Sequence, residues 1–278
     1  ELVRAAQLEL RISQRRACVL AGMSRSTMRY QGGRRRDDSV LKARLKELAA
    51  QRRCHGSPRL TVLLRREGFA DNRKRIERIY SEEGLQVRRR KRKRTARGRQ
   101  VRLFETPTRQ NERWSMDFVR DMIAGGGPLR CLNIVDDFTR ECPHIETDRS
   151  LSGERVCRVL DYLGWTRGLP DEIVVDNGPE FTSLALDRWA HENGVALHFI
   201  DPGKPVQNCY IESFNGKFRD ECLNENWFVN LADAKRKIEA FRVDYNTVRP
   251  HSSLGDLTPA EFAARHDEAG KLTRDLVQ

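Results

Sequence analysis

The chain has 278 residues, of which 38% are hydrophobic and 33% charged, so it can bury one sizeable core and form one or two small modules. It has no apolar run of about 18 residues, no apolar signal segment and no CxxC pair among its seven cysteines, which argues against a membrane protein, a secreted protein and a zinc or redox motif. The net charge of +12 is segregated: residues 1–104 hold 31 basic and 10 acidic residues (+21), and residues 105–278 hold 21 and 30 (−9), which indicates a polyanion partner for the first part.

Residues 1–33 are predicted to form a helix-turn-helix module. Ser13 and Ser24 stand where the caps of two short helices separated by a glycine would stand. The second helix carries Arg25 and Arg29, which could enter a DNA major groove. A plain helical hairpin is the alternative, and the surrounding positive charge favours DNA binding.

Residues 34–86 are predicted to form a second helical module that also binds DNA. A stripe of leucines marks its first helix, Ser57 and Pro58 open its second, and Asn72 caps its third. The sequence therefore predicts two small all-α modules in tandem at the start of the chain.

Residues 87–108 are predicted to be a basic linker. Seven consecutive basic residues repel one another too strongly to form an isolated helix. A solvated arm is the alternative, but we expect phosphate contacts because the segment joins two modules. The residues expected to make them are Arg88, Arg89, Arg90, Lys91, Arg92, Lys93 and Arg94.

Residues 109–265 have the pattern of a mixed α/β domain, and residues 266–278 are predicted to be a C-terminal tail. Three consecutive strands followed by alternating helices and strands are typical of a mixed sheet. The predicted strands lie at 113–121, 129–137, 142–147, 173–176 and 196–200, and the predicted helices at 152–165, 183–193, about 206–223 and 231–247.

Three carboxylates of this domain stand in unusual contexts. Asp117 interrupts an apolar strand, Asp176 ends a strand just before a turn, and Glu212 lies at the border of the apolar and polar stripes of a predicted helix. Hard oxygen ligands suit Mg²⁺ or Mn²⁺, and packed carboxylates would raise one another's pKa values unless cations neutralised them. Two metal ions about 4 Å apart could activate an attacking oxygen and stabilise a leaving one.

Five sequence blocks around these residues resemble those of a known family. They are WSMDFVRD, IVDDFTRE, VVDNGPEF, KPVQNCYIESFNGKFRDECLNENWF and YNTVRPHSSLGDLTPAEF. They are similar to blocks of the bacterial insertion-sequence transposases of family three, the two-reading-frame, circle-forming type with a catalytic core like that of retroviral integrases. The resemblance covers nearly the whole chain.

The resemblance implies a ribonuclease H-like core with a DDE triad on Asp117, Asp176 and Glu212 that holds two Mg²⁺ ions, for which Mn²⁺ can substitute. It implies an enzyme that binds the terminal inverted repeats of its element, frees a 3′ hydroxyl, and transfers the strand to target DNA. It also implies a homo-oligomer on paired ends in the bacterial cytoplasm. The His2Cys2 zinc module of retroviral integrases is not matched, and the family enzyme is similar to a fusion with an upstream region, so we expect part of the end-recognition apparatus to lie outside this chain.

Further residues have the chemistry to contact DNA near the triad, with a solvated or helix-capping role as the alternative for each. They are Asn177, Lys204, Gln207, Asn208, Asn215 and Arg219. Asp136 and Asp137 are adjacent strand residues that face opposite sides, so at most one can approach the site, and turn capping is favoured over metal ligation. Glu180 could orient water or DNA, and His251 could lie near the site or simply finish the last helix.

Two other functions remain open from the sequence alone. One is a regulator that binds DNA without catalysis, against which the three intact acidic positions argue. The other is a ribonuclease H-like nuclease or junction resolvase, which would not need tandem basic helical modules.

Overall fold

The computed structural model describes residues 2–30, 37–87, 105–201 and 205–275. The chain forms two compact units, residues 1–44 and 45–278. The division falls inside a helix, α4 (Ser39–Gln51), whereas the sequence placed a module boundary after residue 33. None of the helices within the described ranges is both long and apolar enough to cross a membrane.

The first unit contains the predicted pair of short helices, α2 (Gln14–Leu20) and α3 (Arg25–Arg29). Ser13 and Ser24 cap them, since their hydroxyl oxygens accept hydrogen bonds from backbone N–H groups one turn later. A further helix, α1 (Leu2–Glu9), precedes them and was not predicted. Its Val3 is buried in a small core with Ala17 and Cys18 of α2.

The second unit begins with the end of α4 and two amphipathic helices, α5 (Ser57–Arg66) and α6 (Arg73–Glu82). Both begin where predicted, with Pro58 in the first turn of α5 and Asn72 accepting from the backbone N–H of Lys74 at 2.9 Å. The apolar faces of the two helices are buried; their most buried residues are Leu60, Leu64, Ile76 and Ile79.

The rest of the second unit is built on a five-stranded mixed sheet in the order β3-β2-β1-β4-β5. β1 pairs antiparallel with β2, and β2 with β3, whereas β1 with β4 and β4 with β5 are parallel. The strands are β1 (Arg113–Ile123), β2 (Gly127–Asp136), β3 (His144–Asp148), β4 (Glu172–Val175) and β5 (Ala196–Phe199). This is the predicted mixed α/β architecture, with strand ends that differ by up to two residues.

Helices cover both faces of this sheet. α7 (Gly153–Arg167) and α8 (Leu184–Asn193) share one buried cluster with Trp114 and Ile134, and α9 (Cys209–Phe218) and α10 (Leu231–Thr247) share another with Val119 and Cys131. Side chains alternate along β1, so its even-numbered residues face the first cluster and its odd-numbered residues face the second. Asp117 therefore points toward the face that α9 covers.

The structure corrects the prediction at the end of the chain. The single helix predicted over about 206–223 consists of a 3₁₀ turn (Pro205–Asn208), α9 and one π-helical turn (Arg219–Leu223). A last helix, α11 (Pro259–Asp275), was not predicted, and the expected tail from residue 266 begins inside it. The sequence has no helix-ending signal at residue 266, because the polar residues of α11 continue into the segment predicted to be a tail.

Candidate active site

The sheet places Asp117 and Asp176 on neighbouring strands. β1 and β4 run parallel with Ser115 opposite Val174, and extending that register by two residues sets Asp117 opposite Asp176. Neighbouring strands lie about 4.8 Å apart. Asp117 and Asp176 thus lie two residues beyond the last paired residues of this ladder, near enough for the charge of Asp176 to raise the pKa of Asp117.

Asp117 is held from two sides. Its Oδ1 accepts a hydrogen bond from the Phe118 backbone N–H at 2.7 Å, and its Oδ2 accepts one from Nδ2 of Asn215 on α9 at 2.7 Å. Oδ1 of Asn215 accepts in turn from Nδ2 of Asn133, 2.6 Å away. Asn133 faces Asp117 across the β1–β2 ladder and is fully buried.

The sequence reasoning missed Asn133. Asn133 is a polar residue within the apolar strand segment LRCLNIVD. The same kind of pattern, a polar residue in an apolar strand, led to the prediction for Asp117. A buried amide is expected to have a hydrogen-bonding partner, and the partner here lies 82 residues further along the chain.

Asp176 is held by the turn that follows β4. Its Oδ1 accepts a hydrogen bond from the backbone N–H of Gly178 at 2.9 Å. A Cβ atom at position 178 would lie 2.9 Å from the same oxygen, closer than side-chain atoms approach. Glycine at this position therefore leaves room for the Asp176 carboxylate, which a side chain there would displace.

Glu212 lies in the first turn of α9 and is exposed. Ile211, Phe214 and Phe218 of this helix are buried in the core. Glu212 shares the neighbouring flank with Asn215, one turn later, so the flank that carries Glu212 also reaches Asp117. α9 is thus the element that connects the third carboxylate to the sheet.

The three carboxylates interact electrostatically. Burial raises the pKa of Asp117 to about 6, and the negative charges of Asp176 and Glu212 add to the rise against the hydrogen bonds from Phe118 and Asn215. Within the ranges that the structure describes, no three His, Cys, Asp or Glu side chains are drawn together closely enough to hold a metal ion. The donors are nevertheless of the type that Mg²⁺ prefers, and a cation would relieve the charge concentrated around Asp117.

The adjacent pair Asp136 and Asp137 has structural partners. Asp136 accepts from the backbone N–H groups of Phe138 and Thr139, which is the turn-capping role favoured from the sequence. Asp137 is buried and accepts from Nε of Arg113 at 2.8 Å and from a serine hydroxyl of β1. Neither carboxylate contacts the triad residues.

The sequence did not decide the roles of Glu180 and His251, and the structure shows the surroundings of both side chains. Glu180 accepts a 2.6 Å hydrogen bond from Arg130, whose guanidinium lies over the Phe118 ring. His251 is buried after α10, with its ring edge against Tyr245. Glu180 is thus paired within the protein, and His251 lies beside the last turn of a core helix.

The predicted DNA contacts of the first helical module lie on α3. Arg25 is exposed there. Arg29 is exposed as well and donates from Nε and Nη2 to the side-chain oxygen of Gln14, at 3.2 and 2.8 Å. The predicted contacts of the basic linker, Arg88 to Arg94, and that of Lys204 lie outside the described residues.

Five residues predicted to contact DNA near the triad lie within the described ranges, and they differ in exposure and in hydrogen-bond partners. Asn177 donates to the Ile200 carbonyl, and Gln207 exchanges two hydrogen bonds with Asp201. Asn208 is only 4% exposed, so its burial argues against the DNA contact predicted for it. Asn215 is half-buried and is hydrogen-bonded to Asp117 and Asn133, and its predicted DNA contact stays a prediction. Arg219 is exposed at the start of the π-helical turn.

Three protein-family models match the chain, one over the helical module and two over the sheet and the helices that follow. The HTH-like domain family matches residues 35–93, and the integrase core domain families match residues 107–205 and 193–259. The first matched range contains α4 to α6, and the second and third contain the sheet and the helices that carry all three carboxylates.

Several known proteins similar to the chain are named as products of insertion elements. A 31.7 kDa protein of insertion element IS407 from Burkholderia multivorans is 52% identical over 258 residues, which are 93% of each chain. A transposase of insertion sequence IS3A from Escherichia coli strain K12 is 23% identical over 75% of this chain and 76% of its own. Among solved structures, the simian T-cell lymphotropic virus intasome, in complex with a PP2A regulatory subunit, is similar with a TM-score of 0.51 and 14% identity over 79% of this chain and 74% of the matched chain. The last similarity concerns the fold alone.

Proposed function

The chain belongs to the bacterial insertion-element proteins that combine an HTH-like domain with an integrase core, and on that basis we propose that it is a DDE transposase. It binds the terminal inverted repeats of its element, cleaves to free 3′ ends and transfers them to target DNA. The observation that supports this proposal is that the charges of Asp176, just after β4, and Glu212, on the helix that contacts Asp117, both raise the pKa of Asp117.

In this assignment Asp117, Asp176 and Glu212 would together hold two Mg²⁺ ions. Such ions, or Mn²⁺ in their place, supply Lewis-acid activation of an attacking oxygen and stabilisation of a leaving one. The protein's own contribution to this chemistry is to hold the three carboxylates in position.

The side chains around Asp117 fix its orientation. Asn215 occupies one carboxylate oxygen and the Phe118 N–H the other, so the carboxylate cannot rotate freely. Asn133 fixes Asn215 in turn, and both amides lie between α9 and the sheet. Partners of this kind orient metal ligands and tune their affinity.

DNA binding is assigned to the basic part of the chain. Arg25 and Arg29 would read the terminal repeats, and Arg88 to Arg94 with Lys204 and Arg219 would contact phosphates. The chain would act as a homo-oligomer on paired ends, in the bacterial cytoplasm. An HTH-like domain beside the integrase core favours a transposase over a simple nuclease, which would not need such a module.

The triad is tested by Asp117→Asn, Asp176→Asn and Glu212→Gln, assayed separately for end binding, cleavage and strand transfer on DNA carrying the ends of the element. We expect cleavage and strand transfer to be lost and end binding to remain, because the carboxylates and the helical modules lie in different parts of the chain. Glu192→Gln, an exposed substitution on α8, is the matched control and should keep full activity. Cleavage that survives in one triad variant would remove that residue from the assignment.

A further inference from the structure

We propose that Lys217 of α9, together with Arg140 and Arg59, forms a pocket that binds a DNA phosphate on the flank of α9 that faces away from Glu212. This inference rests on the proposed function, since it names a contact with the DNA on which the transposase would act. It assigns a role to three residues outside the predicted triad and outside the predicted DNA contacts.

The pocket begins with one face of α9. Tyr210, Ser213 and Lys217 recur at intervals of three and four residues, so they share a flank of the helix. Nζ of Lys217 donates to the Ser213 hydroxyl at 2.7 Å. The guanidinium carbon of Arg140, from the turn after β2, lies 3.7 Å from the centre of the Tyr210 ring. The flank is therefore lined by two cations held in place by neighbouring side chains.

A third cation comes from the helical module. Arg59 of α5 lies 3.5 Å from the carboxylate of Glu221, which belongs to the π-helical turn after α9. The same carboxylate accepts two hydrogen bonds from Arg249, at 2.7 and 2.6 Å, and lies 3.7 Å from the ring of His55. One carboxylate is thus shared by two guanidinium groups and a histidine.

Lys217 lies among like charges. Burial lowers the pKa of Lys217 to about 8, and the charges of Arg249, Arg59 and Arg140 lower it further against the opposing effect of Glu221. Gathering these cations at one place is electrostatically unfavourable, although Glu221 offsets part of the repulsion. An anion bound among them would offset that cost.

His251 supplies a second, independent observation at the same place. It is 5% exposed, and its Nε2 has no hydrogen-bond partner among the described residues. Burial lowers its pKa to about 3, with Arg249, Lys217 and Arg59 lowering it further, so the ring beside this cluster is neutral at physiological pH. A buried ring nitrogen without a partner is uncommon, and in the tautomer with the proton on Nε2 it would donate to an oxygen of a bound anion.

The chemistry favours a phosphate. Guanidinium forks with a lysine point charge are the usual combination for phosphate groups, and two of these cations come from the core while the third comes from α5. A DNA phosphate held there would lie between the helical module and the helix that carries Glu212. Free phosphate or a nucleotide would present the same chemical group, and an acidic peptide would present carboxylates, so the test must separate these sources.

The first test measures the salt dependence of DNA binding by the full chain, with duplex DNA carrying the ends of the element. Each phosphate contact that is lost lowers the slope of log K against log salt by about 0.9. We expect Lys217→Met to lower the slope by about that amount and to weaken binding about threefold to tenfold at about 50 mM salt, with Lys217→Arg retaining most of both. Lys235→Met, at a half-exposed lysine of α10, is the matched control with the same charge change. An unchanged slope in Lys217→Met would overturn the proposal.

The second test needs no variant and therefore does not depend on folding of the mutant. Acetylation of the wild-type chain at about pH 8, followed by peptide mass spectrometry, should label Lys217 readily because of its lowered pKa. Duplex DNA should protect Lys217 and leave Lys235 labelled. If inorganic phosphate, ATP or poly-glutamate protected Lys217 from acetylation and DNA did not, the DNA assignment would be overturned. The protecting compound would then identify the kind of anion that binds there. DNA binding with no cleavage by the wild type would instead contradict the proposed function and leave this pocket unaffected.

Discussion

Asn215 of α9 donates a 2.7 Å hydrogen bond to Asp117 of β1, and this contact is the direct connection between the helix that carries Glu212 and the sheet that carries the two aspartates. Asn133 completes it from β2. The geometry of the candidate site therefore depends on two amides that coordinate nothing in the proposed mechanism.

Removing the Asn215 amide should lower activity without abolishing DNA binding. Asn215→Leu leaves Asp117 with one hydrogen bond fewer, and the loss of such an orienting partner typically costs about tenfold to a hundredfold in metal affinity or activity. The check is cleavage rate against Mg²⁺ concentration, where a shift of the half-saturating concentration separates a positioning role from a structural one. Asn193→Ala, which removes an amide that bonds only within α8, is the control. Unchanged Mg²⁺ dependence in Asn215→Leu would contradict this role.

Gly178→Ala should damage the site locally. The added Cβ would lie 2.9 Å from Oδ1 of Asp176, so the carboxylate or the turn must move. We expect cleavage to fall at least about tenfold, because shifts of about 1 Å in reacting groups have costs of that size or larger. Thermal unfolding should change little.

Gly216→Ala is the matched glycine variant for stability. Position 216 is helical, and no atom lies within 4 Å of the added Cβ apart from the helix's own backbone and chain neighbours. This substitution should stabilise the fold by about 0.5–1 kcal/mol, since alanine loses less conformational freedom than glycine in a helix. A loss of stability in Gly216→Ala would show that the helix tolerates no side chain at position 216. Gly216→Ala could then no longer serve as the control for Gly178→Ala.

Acid should destabilise the protein partly through Glu146 of β3. Hydrogen bonds from His144, at 3.0 Å, and from Arg155 hold the pKa of Glu146 at about 2, although burial opposes the shift. The folded pKa is lower than the unfolded pKa of about 4.3, so the stabilisation is complete above that value and disappears as the pH falls toward 2. Glu146→Gln should therefore lower the free energy of unfolding by about 1–3 kcal/mol at pH 7, with the difference from the wild type shrinking below pH 4.

Urea unfolding of both proteins at pH 7, 4 and 3 is the measurement. Glu192→Gln, an exposed carboxylate on α8, should show no such pH-dependent difference. An equal difference between Glu146→Gln and the wild type at all three pH values would mean that the ion pairs of Glu146 are not the source of the effect.

The buried pair Arg249 and Glu221 should be sensitive to the loss of one partner only. Arg249 is 1% exposed, and burial would raise the pKa of Glu221, but the hydrogen bonds of Arg249 hold it well below its usual range. Arg249→Met leaves the carboxylate buried without its main partner, which typically costs about 3–5 kcal/mol. The double variant Arg249→Met with Glu221→Gln should recover much of that loss, as measured by urea unfolding.

A surface pair provides the comparison. Arg78 and Glu82, one turn apart on α6, are both more than a third exposed, so Arg78→Met should change stability by about 0.5 kcal/mol or less. If the Arg249 variant were equally mild, the Glu221 carboxylate would have to be solvated, contrary to its burial.

Local patterns predicted the elements that local chemistry determines. The caps Ser13, Ser24 and Asn72 stand at the helix starts, and α10 has the predicted bounds, because caps and apolar periodicity act over a few residues. The contexts of Asp117 and Asp176 were also visible locally, as a charge within an apolar strand and a charge at a strand end.

Contacts between distant parts of the chain were not visible. Asn133 and Asn215 are hydrogen-bonded although 82 residues separate them, and Arg52 and Asp244 although 192 residues separate them. Nothing in the sequence around one partner points to the other. The π-helical turn after α9 depends on the tertiary packing of Cys222 and Leu223 and has no sequence signature of its own. The cation cluster around Lys217 likewise assembles from α5, α9 and the segments after β2 and α10.

Metal-dependent strand transfer differs in its nucleophile from recombination through a covalent protein–DNA link. Tyrosine and serine recombinases attack the phosphate with a side chain and stay joined to the DNA until the next step. Tyr210, the tyrosine nearest to Glu212 in the sequence, lies two residues before it and therefore on a different flank of α9. Its ring is covered by the guanidinium of Arg140. These contacts give Tyr210 a packing role in place of attack.

Tyr210→Phe should therefore keep cleavage and strand transfer within about twofold of the wild type, because the ring and its contact with Arg140 remain. Water and then a DNA 3′ hydroxyl are the expected nucleophiles, so each step should invert a chiral phosphorothioate at the reacting phosphate. Denaturing gels of reactions with end-labelled DNA should show no protein-linked product. A protein–DNA adduct that forms during turnover with the wild type and is missing with Tyr210→Phe would contradict the metal-dependent mechanism, because only a covalent intermediate on that hydroxyl would produce it.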